Sequence, residues 1–317
     1  MFFILFFKVL PIYVTILIGY LSGKFLKIDR DTISQILFYI ANPIVILYGI
    51  SNTNVTIKVV SLPILIWFIG STISLLVYYL SSFLFKDNTK NILAFSSGST
   101  SMGYFGLPIA MTLFNESSVS VYVICYIGMV LFENSLGFYI AANGIYTARE
   151  CMLRLFKLPS SYAMIIGFSL RICNIQIPIF LMDTMVNVRS TFITLGMMLL
   201  GISIAQITNF KIDWKLALAT IIAKYIFWPI FVLGIVLIDK YITNIYDESI
   251  YKALILLAII PVSGSSVILA NILNYQPDRA TLLLFISTAV GLFYVPLVIT
   301  LFFPNFFPFN SVNIYAY

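Results

Sequence analysis

The chain has 317 residues, of which 61% are hydrophobic and 9% are charged, and its formal net charge is +6. A soluble domain carries roughly a quarter of charged residues, so this composition excludes an ordinary soluble protein and predicts an integral membrane protein. We attribute the positive charge to the orientation of membrane helices, and we expect no nucleic acid partner.

Apolar blocks of about twenty residues recur along the chain, and each is long enough to cross a hydrocarbon core of roughly 30 Å as a helix. Hydropathy, turn residues and charged links together predict about ten transmembrane helices in an all-α membrane protein. Their approximate limits are residues 4–25, 32–51, 59–85, 91–114, 119–146, 159–174, 188–208, 213–239, 249–273 and 278–303.

The Lys and Arg residues between these blocks predict the orientation of the chain. With the N-terminus outside, eleven of them fall on the cytoplasmic side and six on the external side. Cytoplasmic loops carry the excess of basic residues, so both the N- and C-termini are predicted to lie outside.

Two halves of the chain share a short pattern. The stretch "LPIYVTILIGYLS" from Leu10 aligns with "LPSSYAMIIGFSL" from Leu158, although chance matching is an alternative in so apolar a sequence. We predict a first five-helix repeat at 1–148, a cytoplasmic linker at 149–157 and a second repeat at 158–317. Five is an odd number, so the second repeat enters the membrane inverted relative to the first.

The predicted fourth and ninth helices are each interrupted near the middle, by "SSGSTSMGYFGLP" and "PVSGSS". A helix break persists in a membrane only where it faces protein or a wet cavity, so these breaks mark a site. The half-helix N-termini of such breaks favour an anion. Close helix packing is the alternative explanation for the glycines. The candidate substrate-binding residues are Ser101, Gly103, Gly106, Pro108, Pro261, Ser263, Ser265, Ser266 and Lys224.

Two charged residues fall deep inside predicted helices, Glu133 and Lys224. Charges at mid-membrane are costly, so both are candidates for coupling transport to an ion. Burial would favour the neutral form of Glu133, which could then carry a proton. Lys224 could attract an anion or fill the place of a coupling sodium ion. A structural ion pair between the two is the alternative, as is a bond from Lys224 to carbonyls freed at a break.

Several motifs together resemble the auxin efflux carrier family, which includes plant auxin exporters and bacterial malate permeases. The residues that carry this resemblance are Pro43, Ser101, Gly103, Gly106, Pro108, Lys224, Pro229, Pro261, Ser265 and Ala270. The resemblance covers essentially the whole chain. Ser101 and Ser265 stand where the family pattern has asparagine.

The resemblance implies two inverted five-helix repeats, in which broken helices four and nine cross and bind the substrate. It implies a permease for a small organic anion, such as malate or an auxin-like carboxylate, that works by alternating access. It further implies a homodimer, which we expect in the bilayer of the bacterial cytoplasmic (inner) membrane. A proton or sodium is a candidate coupling ion, but exchange or the gradient of the substrate itself could also drive transport, and the sequence does not decide between them.

Other function classes remain open at the level of sequence. A channel or a substrate sensor could use the same scaffold. An intramembrane Ser-Lys hydrolase is disfavoured because histidine is absent and the two breaks are symmetric, so we predict that the protein is not an enzyme. The three cysteines have no metal-binding spacing, and neither a metal nor another cofactor is expected.

Overall fold

The computed structural model describes residues 2–26, 28–52, 57–142, 149, 159–206, 213–273 and 277–302. All regular secondary structure in these ranges is helical, as the all-α prediction requires. The predicted linker at 149–157 lies outside the described residues, apart from residue 149.

The helices that the structure describes follow the predicted order, and each interrupted helix is numbered in two parts. They are α1 (Phe2–Phe25), α2 (Arg30–Ser51), α3 (Ile57–Ser81), α4 (Thr89–Gly98), α5 (Leu107–Leu113), α6 (Glu116–Ala141), α7 (Pro159–Ile172), α8 (Ile179–Ala205), α9 (Trp214–Thr243), α10 (Glu248–Ile259), α11 (Ser265–Ile272) and α12 (Pro277–Phe302).

Six of the described helices are long and apolar enough to cross a membrane, namely α2, α3, α6, α8, α9 and α12. The chain is therefore a multi-pass membrane protein. The interruptions divide the predicted fourth and ninth helices into pieces of 10 and 7 residues and of 12 and 8 residues. Each piece alone is too short to span a bilayer core of roughly 30 Å.

The polar links between the apolar blocks start the helices. Asp29, Asn115, Asp213 and Asp247 each accept hydrogen bonds from backbone N–H groups in the first turn of the helix that follows. These N–H groups have no partner within the helix, so such caps stabilise the helix start.

Helix α8 begins nine residues earlier than the sequence predicts, at Ile179 instead of residue 188. The additional turns contain Asp183 and Asn187, which lower the hydropathy of this stretch. The chain is nevertheless helical there, beginning directly after Pro178 at the N-cap. Hydropathy alone therefore underestimates a helix whose outer turns carry polar residues.

Glycines permit close contacts between two pairs of helices. A Cβ atom at Gly19 of α1 would overlap the Met198 carbonyl oxygen of α8, and one at Gly201 of α8 would overlap the Ile16 carbonyl oxygen of α1. On the other side of the molecule, Gly167 of α7 packs against Ile50 of α2. Each aligned glycine of the two sequence stretches thus lies at a helix–helix contact.

Helix α6 lies at the centre of the bundle and is the most buried of the six long helices in the described part of the chain. It packs against α2, α3, α5 and α10. Its side chains Tyr122, Ile127 and Phe132 belong to the main hydrophobic core. Glu133 follows directly in this core helix, so its carboxylate lies inside the protein and away from lipid.

The two predicted interruptions are present, and they meet. Helix α4 ends at Gly98, Ser99 is extended, and a π-helical turn at Met102–Gly106 leads into α5. Helix α10 ends at Ile259, and α11 begins at Ser265. The backbone N–H of Ser101 in the first break donates a hydrogen bond to the carbonyl of Pro261 in the second, at 2.9 Å.

Candidate functional site

The first break exposes polar groups to the interior of the protein. Ser99, Thr100 and Ser101 have side chains that are at most 2% exposed. The carbonyl of Ser101 accepts hydrogen bonds from the N–H groups of Phe105 and Gly106, at 3.2 and 2.8 Å, which starts the π-helical turn. The hydroxyl oxygens of Thr100 and Ser101 have no hydrogen-bond partner among the described residues. Buried polar atoms of this kind are costly unless a water or ligand binds them.

The second break is held open by side chains. Pro261 has no N–H to continue α10, and the N–H of Val262 donates to the hydroxyl oxygen of Ser287 on α12, at 2.9 Å. Ser263 accepts a hydrogen bond from the N–H of Ser265 at 3.2 Å and caps the start of α11. The extended backbone at this break is therefore satisfied partly from a neighbouring helix.

Glu133 connects α6 to the second break. Its Oε2 accepts a hydrogen bond from the hydroxyl of Ser265 at 2.8 Å, and its side chain is 9% exposed. Its Oε1 has no partner among the described residues. The carboxyl group lies next to the N-terminus of α11, where the backbone carries a partial positive charge.

A small polar cavity of about 20 Å³ lies between the two breaks and α6. A cavity of this size holds about one water molecule. It is lined by Phe38, Asn42, Thr100, Ser101, Gly103, Tyr104, Tyr126, Val130, Glu133, Asn134, Ser263 and Ser265. Side chains from both breaks therefore converge on the same enclosed space.

Asn42 belongs to this cavity and also joins three helices. Its side-chain oxygen accepts a hydrogen bond from the hydroxyl of Tyr126 at 2.7 Å, and its amide nitrogen donates to the hydroxyl of Ser160 at 3.2 Å. The candidate substrate-binding residues predicted from the sequence do not include Asn42, Tyr104 or Tyr126. An Asn-Pro dipeptide inside an apolar helix was the available signal for Asn42, and Tyr104 lies within the first interruption, directly after Gly103, whereas nothing local distinguishes Tyr126.

A second cavity of about 300 Å³ lies beside the first. Both cavities are lined by Phe38 and Tyr104, so these two rings stand between them. The walls of the larger cavity are mixed. Its polar residues are Arg30, Asp31, Ser34, Gln35 and Ser203, and its apolar ones include Leu199, Leu200, Val267, Ile268 and Leu284. This size and lining suit a small organic molecule.

Lys224 is fully buried on α9, within a π-helical turn at Ala223–Phe227. Its ammonium donates a hydrogen bond to the carbonyl of Leu257 at 3.4 Å and lies 4.4 Å from the ring centre of Trp228. The Trp228 ring nitrogen in turn donates to the carbonyl of Ser97 at 2.6 Å. Side chains of α9 therefore bind the C-terminal ends of both α10 and α4.

The structure brings together only some of the candidate residues. Ser101, Gly103, Ser263, Ser265 and Glu133 line the small cavity, and Pro261 contributes its carbonyl to the contact between the breaks. The remaining candidates line neither of the two cavities; these are Gly106, Pro108, Ser266 and Lys224.

The hypothesised ion pair between Glu133 and Lys224 is not formed within the described part of the chain. The two residues bond to opposite sides of the second break. Glu133 lies at the N-terminus of α11, whereas Lys224 bonds to the C-terminal end of α10. A bond from Lys224 to a carbonyl freed at a break was the predicted alternative to the ion pair.

No group of three or more potential metal ligands occurs among the residues that the structure describes. The polar groups of the site are hydroxyls, amides, one carboxyl and backbone groups. Such groups suit the binding of a small polar or anionic molecule.

Comparisons with known proteins indicate the family of membrane proteins to which the chain is similar. Residues 4–143 and 145–299 match a protein family described as membrane transport protein. An uncharacterized transporter of Methanocaldococcus jannaschii is 27% identical to this chain over 225 residues, which correspond to 65% of this chain and 71% of the relative.

Proposed function

From the premise that the chain belongs to the membrane transport protein family, as its resemblance to the auxin efflux carriers predicts, we propose that it is a secondary transporter of a small organic anion. The family makes it a membrane transporter. The substrate class and the mechanism are our proposal.

The contact between the two helix breaks is the observation that carries this proposal. At this contact, the hydroxyls of Thr100 and Ser101 and one oxygen of Glu133 are buried without partners in the described structure. The N-terminus of α11 faces the same cavity and favours negative charge. A carboxylate such as that of malate or an auxin-like compound could accept hydrogen bonds from the hydroxyls of Thr100 and Ser101.

The larger cavity supports an access route to the contact. It extends from Arg30 and Asp31, at the start of α2, to Gly264 in the second break. The distribution of Lys and Arg predicts that the start of α2 faces the cytoplasm. We therefore propose that the structure represents an inward-facing state, in which Phe38 and Tyr104 separate the access cavity from the site.

We further propose that the chain forms ten membrane-crossing segments in two inverted five-helix repeats. Helix packing supports this arrangement, because Gly19 of α1 contacts α8 while Gly167 of α7 contacts α2. In an inverted repeat the first helix of each half would pack on the second helix of the other half in this reciprocal way. Both termini would then lie outside a bacterial cytoplasmic membrane, and a homodimer remains a prediction.

The first test is uptake of labelled malate and indole-acetate into proteoliposomes, with and without an imposed pH gradient. Saturable uptake would support a transporter. Flux that does not saturate would indicate a channel, and binding without flux would indicate a sensor; either result would contradict the proposal.

Serine variants test whether the contact between the breaks is the site. We expect Ser101→Ala, Ser263→Ala and Ser265→Ala each to lower uptake by roughly two- to tenfold, because each removes a hydroxyl from the site and a hydrogen bond contributes about 0.5–1.5 kcal/mol. Ser190→Ala is the matched control, since this serine is exposed on α8 and bonds only to its own helix. Complete loss in one variant, together with measurable hydrolysis of a substrate, would indicate a nucleophile and an enzyme instead.

A further inference from the structure

One carboxyl oxygen of Glu133 accepts a hydrogen bond, and the other has no hydrogen-bond partner in the described structure. Oε2 accepts the hydrogen bond from Ser265, whereas Oε1 is buried and has no partner in the described structure; the Glu133 side chain is part of the lining of the small cavity. The available oxygen therefore lies where a bound substrate would have to make contact. It lies beside the unpartnered hydroxyls of Thr100 and Ser101, which line the same cavity.

No cation faces this carboxyl group in the described structure. The other titratable side chains that line the cavity are Tyr104 and Tyr126, which are phenols and remain neutral near pH 7. Helices α3, α4, α5 and α10 also pack on α6 but contribute no titratable side chain to the cavity. The remaining lining residues are neutral, and these are Phe38, Asn42, Thr100, Ser101, Gly103, Val130, Asn134, Ser263 and Ser265.

The lining of the small cavity can stabilise one ionised carboxylate within it but not two. The N-terminus of α11 and the neighbouring hydroxyls stabilise a single anion. A second carboxylate in the same enclosed space would meet an uncompensated like charge, which favours protonation of one of the two groups. A protonated carboxyl group also gains an O–H donor, which an ionised carboxylate lacks.

We propose that Glu133 takes up one proton when an organic anion binds at the helix breaks, and that its carboxylic acid donates a hydrogen bond through Oε1 to the carboxylate of the anion. One proton then moves with each anion, and proton and substrate share one site. This inference rests on the proposed function, and it assigns the coupling ion and the group that carries it.

The sign of the pH effect follows from this linkage. At higher pH Glu133 is ionised in the empty site and must acquire a proton before an anion can bind, so affinity falls. At lower pH the proton is already present, so affinity rises toward a plateau. Between these limits the affinity changes by up to about tenfold per pH unit, as expected for the uptake of one proton.

The test measures proton uptake upon anion binding by titration calorimetry of the purified full chain, in buffers of different ionisation enthalpy. The probes are indole-acetate and malate, used between about pH 6 and about pH 8, where ordinary carboxylates are largely ionised. We expect the wild-type protein to take up about one proton per anion near the upper end of this range. Binding without proton uptake across the range would overturn the inference, whatever the variants do.

Two variants locate the proton. Glu133→Gln keeps a hydrogen-bond donor but cannot ionise, so we expect anion binding that is independent of pH and takes up no proton. Glu116→Gln is the matched control, because this exposed glutamate begins the same helix, and it should behave as the wild type. If Glu133→Gln still takes up a proton, another group carries it and the inference is wrong.

The outcomes separate the inference from the function on which it rests. If the wild-type protein binds neither probe at any pH, the proposed function fails for these substrates, and the inference fails with it. If it binds and transports a probe but the pH dependence survives in Glu133→Gln, only the inference fails.

Discussion

Replacement of Lys224 by methionine is expected to lower the rate of anion uptake by about tenfold or more, because a hydrogen bond to a charged group contributes about 1.5–3 kcal/mol. The ammonium binds the Leu257 carbonyl at the end of α10 and lies against Trp228, which binds the end of α4. Without it, α9 loses its hydrogen bond to the C-terminal end of α10, although the hydrogen bond from Tyr251 of α10 to Asp239 of α9 remains. The second break is then held less firmly relative to the first.

Thermal stability should respond in the opposite direction to transport in this variant. Lys224 is fully buried, and no carboxylate pairs with it in the described structure. Removing such a charge relieves a desolvation penalty of about several kcal/mol, so the melting temperature should stay unchanged or rise. A methionine fills a similar volume and leaves little cavity.

Lys240→Met is the control for Lys224→Met, because Lys240 is an exposed lysine of the same helix. Uptake by proteoliposomes and the melting temperature of the detergent-solubilised protein should both remain at wild-type values in this control. If Lys224→Met lowers the melting temperature together with uptake, Lys224 has a structural role alone. If uptake is normal, Lys224 does not contribute to transport.

Substitution of Pro261 by alanine is expected to slow turnover several-fold, and its combination with Ser287→Ala should slow turnover by about tenfold or more, since each hydrogen bond that is gained by extending α10 or lost from the break contributes about 0.5–1.5 kcal/mol. An alanine restores an N–H that can bond to the carbonyl four residues earlier, which belongs to Leu257. Helix α10 could then continue across the break. In the variant that also carries Ser287→Ala, the N–H of Val262 loses its acceptor, the Ser287 hydroxyl oxygen, and becomes free to bond within the extended helix.

The same carbonyl of Leu257 is the acceptor for Lys224 in the structure. Extension of α10 would therefore compete directly with the Lys224 ammonium. We expect Pro261→Ala and Lys224→Met to be non-additive in their effects on uptake, because both act on this one carbonyl. Additive losses would indicate that the two residues act independently.

Pro11→Ala is the control for the proline variant, because Pro11 lies within the apolar helix α1 and is exposed. Single-turnover uptake and steady-state uptake should both be near wild type in this control. Normal turnover in the variant that combines Pro261→Ala with Ser287→Ala would contradict a role for the second break in transport.

The sequence by itself determined the membrane class, the order of the helices and the positions of both breaks. These features are local, since they depend on apolar length, on turn residues and on the lack of an N–H at proline. The family resemblance was also readable from short motifs around the breaks, and the match over most of the chain agrees with it. The start of α8 was predicted too late, because polar residues within a helix reduce its hydropathy.

Only the tertiary structure decided which side chains meet. Glu133 bonds to Ser265, which lies 132 residues later in the chain, while Lys224 bonds to a backbone carbonyl and not to Glu133. Tyr126 lines the site although its local sequence resembles that of any aromatic residue in an apolar helix. The physical reason is that hydropathy and turn chemistry act between near neighbours in sequence, whereas these contacts depend on how the helices pack around α6.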